Sequence, residues 1–181
     1  MAARAVGKSL AHDSAHLHVA GTAAYTDDLP EPRDLLHLAL GISPFAHARL
    51  LALDLARVRD SDGVVDVCTA ADIPGENNYG SIVKDDPVFA GDLVQYVGQP
   101  VFAVAATTVD AARKAARKAE YDHEELDAVL DPVEAVEKKS FVLPTETLAR
   151  GDAAAALERA PHRLQRRVFV GGQDQFYLEG H

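Results

Sequence analysis

The stretch PVFAVAATTVDAARKAARKAE, residues 100–120, restricts the fold more than any other part of the chain. It opens with an apolar run rich in β-formers, Val101 to Ala106, which reads as a buried strand. A helical pattern follows at once. Ala111, Ala112, Ala115, Ala116 and Ala119 recur at helical spacing, with Arg113, Lys114, Arg117 and Lys118 on the opposite side. A face made of methyl groups alone has little depth, so this helix must approach whatever it covers closely, and a sheet is the natural partner. Thr107, with Asp110 three residues later, gives a capping-box-like start, although Asp is shorter than the usual Glu or Gln.

Other elements arrange themselves around this pair. LLHLALGIS, residues 35–43, is a mainly apolar run between PEPRD and SPFAH and reads as a buried strand. RLLALDL, 49–55, alternates less cleanly. GVVDVCTAADIP, 63–74, sets Val65, Val67 and Thr69 on one face against Val64, Asp66 and Cys68, in a strand closed by Pro74. A bend or bulge is expected at Gly98, Gln99 and Pro100, where glycine relaxes the backbone and proline cannot donate to a ladder. EYDHEELDAVLDP, 120–132, reads as a further strand and its exit. Pro132 begins a short helix, and Asp152 caps another that stops before Pro161. SFVLPTETLARG, 140–151, is a linker, and HRLQRRVFVGG, 162–172, is one more strand. Strands and helices mix without βα alternation or internal repeat, so the class is α+β.

Composition closes off several functions. The chain's 181 residues are enough for one good core or two small ones. Its 28 acidic and 18 basic side chains give a net charge of −10, which disfavours a nucleic-acid partner. Cys68 is the single cysteine, so this chain can form no internal disulfide, no Cys-only zinc site and no iron–sulfur cluster of its own. There is no signal-like h-region and no uncharged apolar stretch approaching ~18 residues, so no membrane partner is expected and the sequence reads as cytoplasmic.

Short motifs carry less than they promise. GKS at 7–9 has the end of a phosphate loop, but Ala2 stands where the leading glycine belongs. No G-x-G-x-x-G is present. His16 and His18 in HDSAHLHV would share one strand face and could offer two imidazoles to a metal, with His12 or Asp13 as a third ligand, or could simply make ordinary hydrogen bonds. Arg113, Lys114, Arg117 and Lys118 could bind an anion or form a solvated helix face. Asp27–Asp28 and Asp85–Asp86 could pair as carboxylates, yet each sits beside proline in a turn context. At GGQ, 171–173, glycines permit close backbone approach and the Gln173 amide can donate to an anionic oxygen without titrating; a β-bulge with a satisfied amide explains the same residues.

Taken together, SAHLHVAGTAAYTDDLPEP, LHLALGISPFAHARLLALDL, GVVDVCTAADIPGENNYG, VQYVGQPVFAVAA and GGQDQFYLEG change this picture. In this order and spacing the chain strongly resembles the start of the molybdenum-binding large subunit in the xanthine dehydrogenase and aldehyde oxidase family, in its bacterial xanthine dehydrogenase branch. The resemblance covers residues 8–180. It implies a lead-in over 1–14, an α/β hammerhead domain over 15–131, a linker with short helices over 132–161, and the first strand of a molybdopterin-binding domain over 162–181. It implies a chain that continues for several hundred residues, with the catalytic glutamate in that continuation. Gln173 matches the glutamine whose amide contacts an oxygen ligand of the molybdenum, with Gly172 beside it in the cofactor site. Asp174 and Gln175 replace the more usual Glu and His.

The resemblance further implies that the whole enzyme hydroxylates a purine, hypoxanthine or xanthine, with water-derived oxygen. Electrons then pass through 2Fe-2S centres and FAD in a partner subunit to NAD, in keeping with the single cysteine here. The 181 residues alone are expected to be inactive and without cofactor. Two other readings stand beside this one: a non-catalytic packing or assembly module, and the same fold in an aldehyde oxidase or carbon monoxide dehydrogenase.

Overall fold

Valines, alanines and one phenylalanine at the centre of the chain decide its architecture. The computed structural model describes residues 6–176. The chain divides into two units, Arg33–Leu148 and the residues up to 32 together with those from 149 on.

The central unit holds six strands in two three-stranded antiparallel sheets. In chain order they are β1 (His37–Ile42), β2 (Ala48–Asp54), β3 (Val64–Thr69), β4 (Leu93–Val94), β5 (Pro100–Ala106) and β6 (Glu120–Glu125). One sheet has the order β1-β5-β3 and the other β4-β2-β6, so successive strands alternate strictly between the two. A short helix, α2 (Ala56–Arg59), follows β2. The alanine helix, α3 (Val109–Ala116), follows β5.

β5 is the middle strand of its sheet, and Val101, Phe102, Ala103, Val104 and Ala106 are all buried. Val101, Phe102 and Val104 form one core with Leu55, Val58, Val67, Ala90, Val94 and Ala115. Ala112 and Ala115 are fully buried where α3 lies over β1, β5 and β3, as a methyl-only helix face requires. Thr108 caps α3, its side-chain oxygen accepting from Ala111 N at 3.1 Å. The cap therefore sits one residue beyond the Thr107 expected from the box spacing. Thr107 instead donates its backbone N–H to Gly63 O at 2.9 Å.

The expected bend between β4 and β5 is present. Gly98 has φ +91°, and its N–H donates to Ser43 O at 2.8 Å. Gln99 is buried: its Oε1 accepts from Gln95 N at 2.8 Å and its backbone oxygen accepts from Ser43 N at 2.9 Å. In the long connection from β3 to β4, the Asn77 side chain closes a loop by donating to Phe89 O at 2.8 Å and accepting from Phe89 N at 3.1 Å.

Other sequence expectations change as well. β3 is bulged at Val65, between Val64 paired with Ala106 and Asp66 paired with Ala105. The extra residue leaves Val65 exposed while Val64 and Val67 pack on the core, so the simple alternation breaks. The strand ends at Thr69 in a 3-10 turn over Ala70–Asp72, before Pro74 is reached. Finally, HRLQRRVFVGG forms no strand. An extended segment needs a neighbour for its backbone N–H and C=O groups, and no ladder partner for it exists among the described residues.

Pro132 opens α4 (Pro132–Glu137) and Asp152 caps α5 (Ala153–Arg159), as the sequence suggests, and Asp131 supplies the cap of α4. At the other end of the chain, HLHV lies in α1 (Ala15–Ala20) rather than in a strand.

Candidate functional site

The sequence puts its functional weight on GGQ at 171–173. All three residues are exposed and in extended or irregular backbone. A side chain added at Gly171 or Gly172 would meet nothing within 4 Å, so this backbone is open to approach from outside. Gln173 Nε2 donates to the carbonyl of its own neighbour, Gly172, at 3.3 Å. Asp174 folds back in the same way, its Oδ1 accepting from Gln175 N at 2.8 Å. The segment thus offers one amide held only by its own neighbour's carbonyl and a bare glycine backbone, a single edge contact rather than a cradle. Tyr177, Leu178 and His181 lie outside the described residues.

The other candidates separate. His16 and His18, two apart on α1, point to opposite sides of the helix, about 200° apart. His18 instead meets the His12 ring edge-on at 5.5 Å and the Tyr25 ring at 6.1 Å. No cluster of three or more His, Cys, Asp or Glu suited to a metal exists among the described residues. Asp28 accepts from Tyr25 N at 2.9 Å and so closes a turn. Asp85 and Asp86 are exposed in the long loop, where Asp86 O accepts from Tyr79 N at 2.9 Å. GKS is exposed and starts no helix.

The basic stripe is not uniform. Lys114 pairs with Asp110 at 3.2 Å, and Lys118 Nζ donates to Ser61 Oγ at 2.7 Å. Arg113 and Arg117 line a groove of roughly 530 Å³ with Gly41, Ile42, Ala116 and Tyr121. Tyr121 is half-buried there, and desolvation holds its phenol above the usual tyrosine range.

A second cleft, roughly 610 Å³, is lined by Leu50, Leu53, Arg59, Thr69, Ala90 and Asp92 among others. Sequence reading missed it, because it is assembled from residues far apart in the chain and no local pattern marks it. Asp72 stands near its Thr69 wall. Its Oδ2 accepts from both the N–H and the hydroxyl of Thr69, each at 2.8 Å. Those hydrogen bonds, with Arg59 as a weaker contributor, hold its carboxyl below the usual range.

The family model for the aldehyde oxidase and xanthine dehydrogenase a/b hammerhead domain matches residues 20–127, the stretch that holds both sheets and the alanine helix. The chain belongs to that family. Xanthine dehydrogenase 1 of Arabidopsis thaliana is 42% identical over 177 residues, covering 96% of this chain and 13% of that protein. Xanthine dehydrogenase/oxidase of Gallus gallus is 38% identical over 176 residues, covering 97% of this chain and 13% of that protein. Among solved structures, the aldehyde oxidoreductase of Desulfovibrio desulfuricans superposes with a TM-score of 0.67 at 27% identity, over 76% of this chain and 16% of that one. This family chain therefore spans about an eighth of the length of the relatives it matches, 13% in both cases. The hammerhead match excludes GGQ, which lies beyond residue 127. No helix among the described residues is long and apolar enough to cross a membrane.

Proposed function

We propose that the chain is part of the molybdenum-binding large subunit of a xanthine dehydrogenase, which hydroxylates hypoxanthine or xanthine in the cytoplasm. One observation carries this reading: about 40% identity to xanthine dehydrogenases, sustained over nearly the whole chain rather than over the hammerhead alone. Within it, residues 15–131 form the hammerhead, 132–161 the linker, and 162–181 the entry to the molybdopterin-binding domain. A partner subunit carries 2Fe-2S and FAD and passes electrons to NAD.

Gln173 and Gly172 are the residues of this chain assigned to the cofactor. Their open backbone and solvent-facing amide suit one hydrogen bond to an anionic group, while the remaining walls must come from other parts of the enzyme. When bound, the molybdenum cofactor supplies the two-electron redox chemistry. Gln173 contributes orientation and a neutral donor that keeps its charge state across the pH range. Gly172 lets the backbone come close.

Aldehyde oxidation is the second reading, favoured by the superposition on an aldehyde oxidoreductase. The deciding experiment uses the whole polypeptide assembled with its iron–sulfur and flavin partner. Xanthine-dependent reduction of NAD, with poor turnover of aromatic aldehydes, is expected; the reverse preference would transfer the chain to the aldehyde branch.

A further inference from the structure

We propose that the free edge of β1 takes an extended, acidic polypeptide segment from a partner by strand addition. A sheet edge presents unpaired N–H and C=O groups to any chain that can lie alongside it, and proteins blunt such edges with bulges, charges or short length. The two sheets here have four edges: β1, β3, β4 and β6. β3 is blunted by the bulge at Val65 and by exposed Asp66. β4 is two residues long. β6 carries Glu120, Asp122, Glu124 and Glu125.

β1 is less defended: its one irregularity lies at its far end, between Gly41 and Ile42, where the Tyr121 hydroxyl donates to Ile42 O at 3.5 Å. Its sequence, HLALGI, contains no proline, lysine or carboxylate, and its register with β5 is regular from His37 to Gly41. Leu38, Leu40 and Ile42 are more than half exposed along it.

The chemistry of the occupant follows from the groove between β1 and α3. Arg113 and Arg117 line it, and neither has a carboxylate within 4.0 Å among the described residues. The two lie four residues apart on one helix, a rise of about 6 Å. Alternate residues of a strand are about 6.8 Å apart and point the same way. A segment with carboxylates at alternate positions therefore matches both guanidinium groups while its backbone pairs with β1. A second copy could offer Glu120, Asp122 and Glu124 of its β6, but two copies each carrying a net charge of −10 repel, so the segment is assigned to another chain.

The test uses the full 181-residue chain and two labelled seven-residue peptides, one with Glu at alternate positions between Val and Thr, the other with Lys in place of Glu. Fluorescence anisotropy should show the Glu peptide binding at least about tenfold tighter, an advantage that shrinks at high salt. Amide exchange should slow within residues 37–42. Arg113→Glu with Arg117→Glu should invert the preference, and Leu38→Lys should weaken the Glu peptide, each without a change in melting temperature. Absence of Glu-peptide binding, equal binding of both peptides, protection confined to other residues, or a preference unmoved by the double variant would overturn the proposal. So would concentration-dependent self-association abolished by Leu38→Lys, which would assign the edge to a second copy.

Discussion

Gly41 stands opposite Phe102 in the β1–β5 pair, and the Phe102 ring occupies the space that a side chain at position 41 would need. Phe102 is fully buried, so the ring has nowhere to withdraw. Gly41→Ala should destabilise the chain by about 1–3 kcal/mol, the range for overpacking a filled core. Urea unfolding of the variant checks this, and adding Phe102→Leu should recover part of the loss.

A parallel case concerns the alanine helix. Ala115→Leu should force α3 away from the sheet and cost about 1–3 kcal/mol, because Ala115 is fully buried against it. Arg113→Ala, on the exposed side, should stay within about 0.5 kcal/mol. Equal melting temperatures for the two variants would contradict the packing described.

Capping separates two neighbouring threonines. Thr108→Ala removes the oxygen that accepts from Ala111 N and should cost about 1 kcal/mol. Thr107→Ala leaves that bond intact and should cost less, as thermal denaturation would show.

Asp72 predicts a pH effect of definite sign. Its hydrogen bonds from Thr69, helped by Arg59, depress the folded-state value. Its contribution is therefore complete above the ordinary aspartate value, about 3.9, and is lost as pH falls through the lower folded value. Thr69→Val removes the hydroxyl donor. The Asp72 carboxyl carbon should then titrate at higher pH by NMR.

In the whole assembled enzyme, Gln173→Ala should leave metal content largely intact and lower kcat by about one to three powers of ten, as expected for one lost donor. Gln173→Glu should be worse, since a carboxylate beside an anionic group must be desolvated and repels it. Full metal content with unchanged kcat would make Gln173 an ordinary surface amide.

Much of the fold could be read from residue chemistry alone where that chemistry is local. Pro132 at a helix start, Asp152 before an alanine run, and Gly98 with Pro100 each act on their own few residues, and each behaves as expected. Misreadings arose where partners at a distance decide. The Val65 bulge depends on pairing with β5, and the missing strand at 162–172 depends on a neighbour. His16 and His18 alternate like a strand, but six residues that bury nothing carry too weak a pattern to choose between periods. For the candidate site, the residues alone left Gln173 open to two explanations. The structure leaves both open, with the Gln173 amide donating only to its neighbour's carbonyl.

The strict alternation of strands between the sheets also governs the order in which this chain can assemble during synthesis. β1 and β3 touch their sheet only through β5, and β2 has just the two residues of β4 until β6 arrives. A nascent chain must therefore release everything from His37 through Ala106 before the first sheet can close, and the second closes only when Glu125 is out. Until then Leu38, Leu40 and the Leu50–Leu53 run have no ladder to join. Such dependence on distant pairing slows folding and prolongs exposure of sticky segments. The hammerhead thus gains its sheets in two steps at the end of its own span, and its apolar strands stay exposed to chaperones from the emergence of β1 until that of β6.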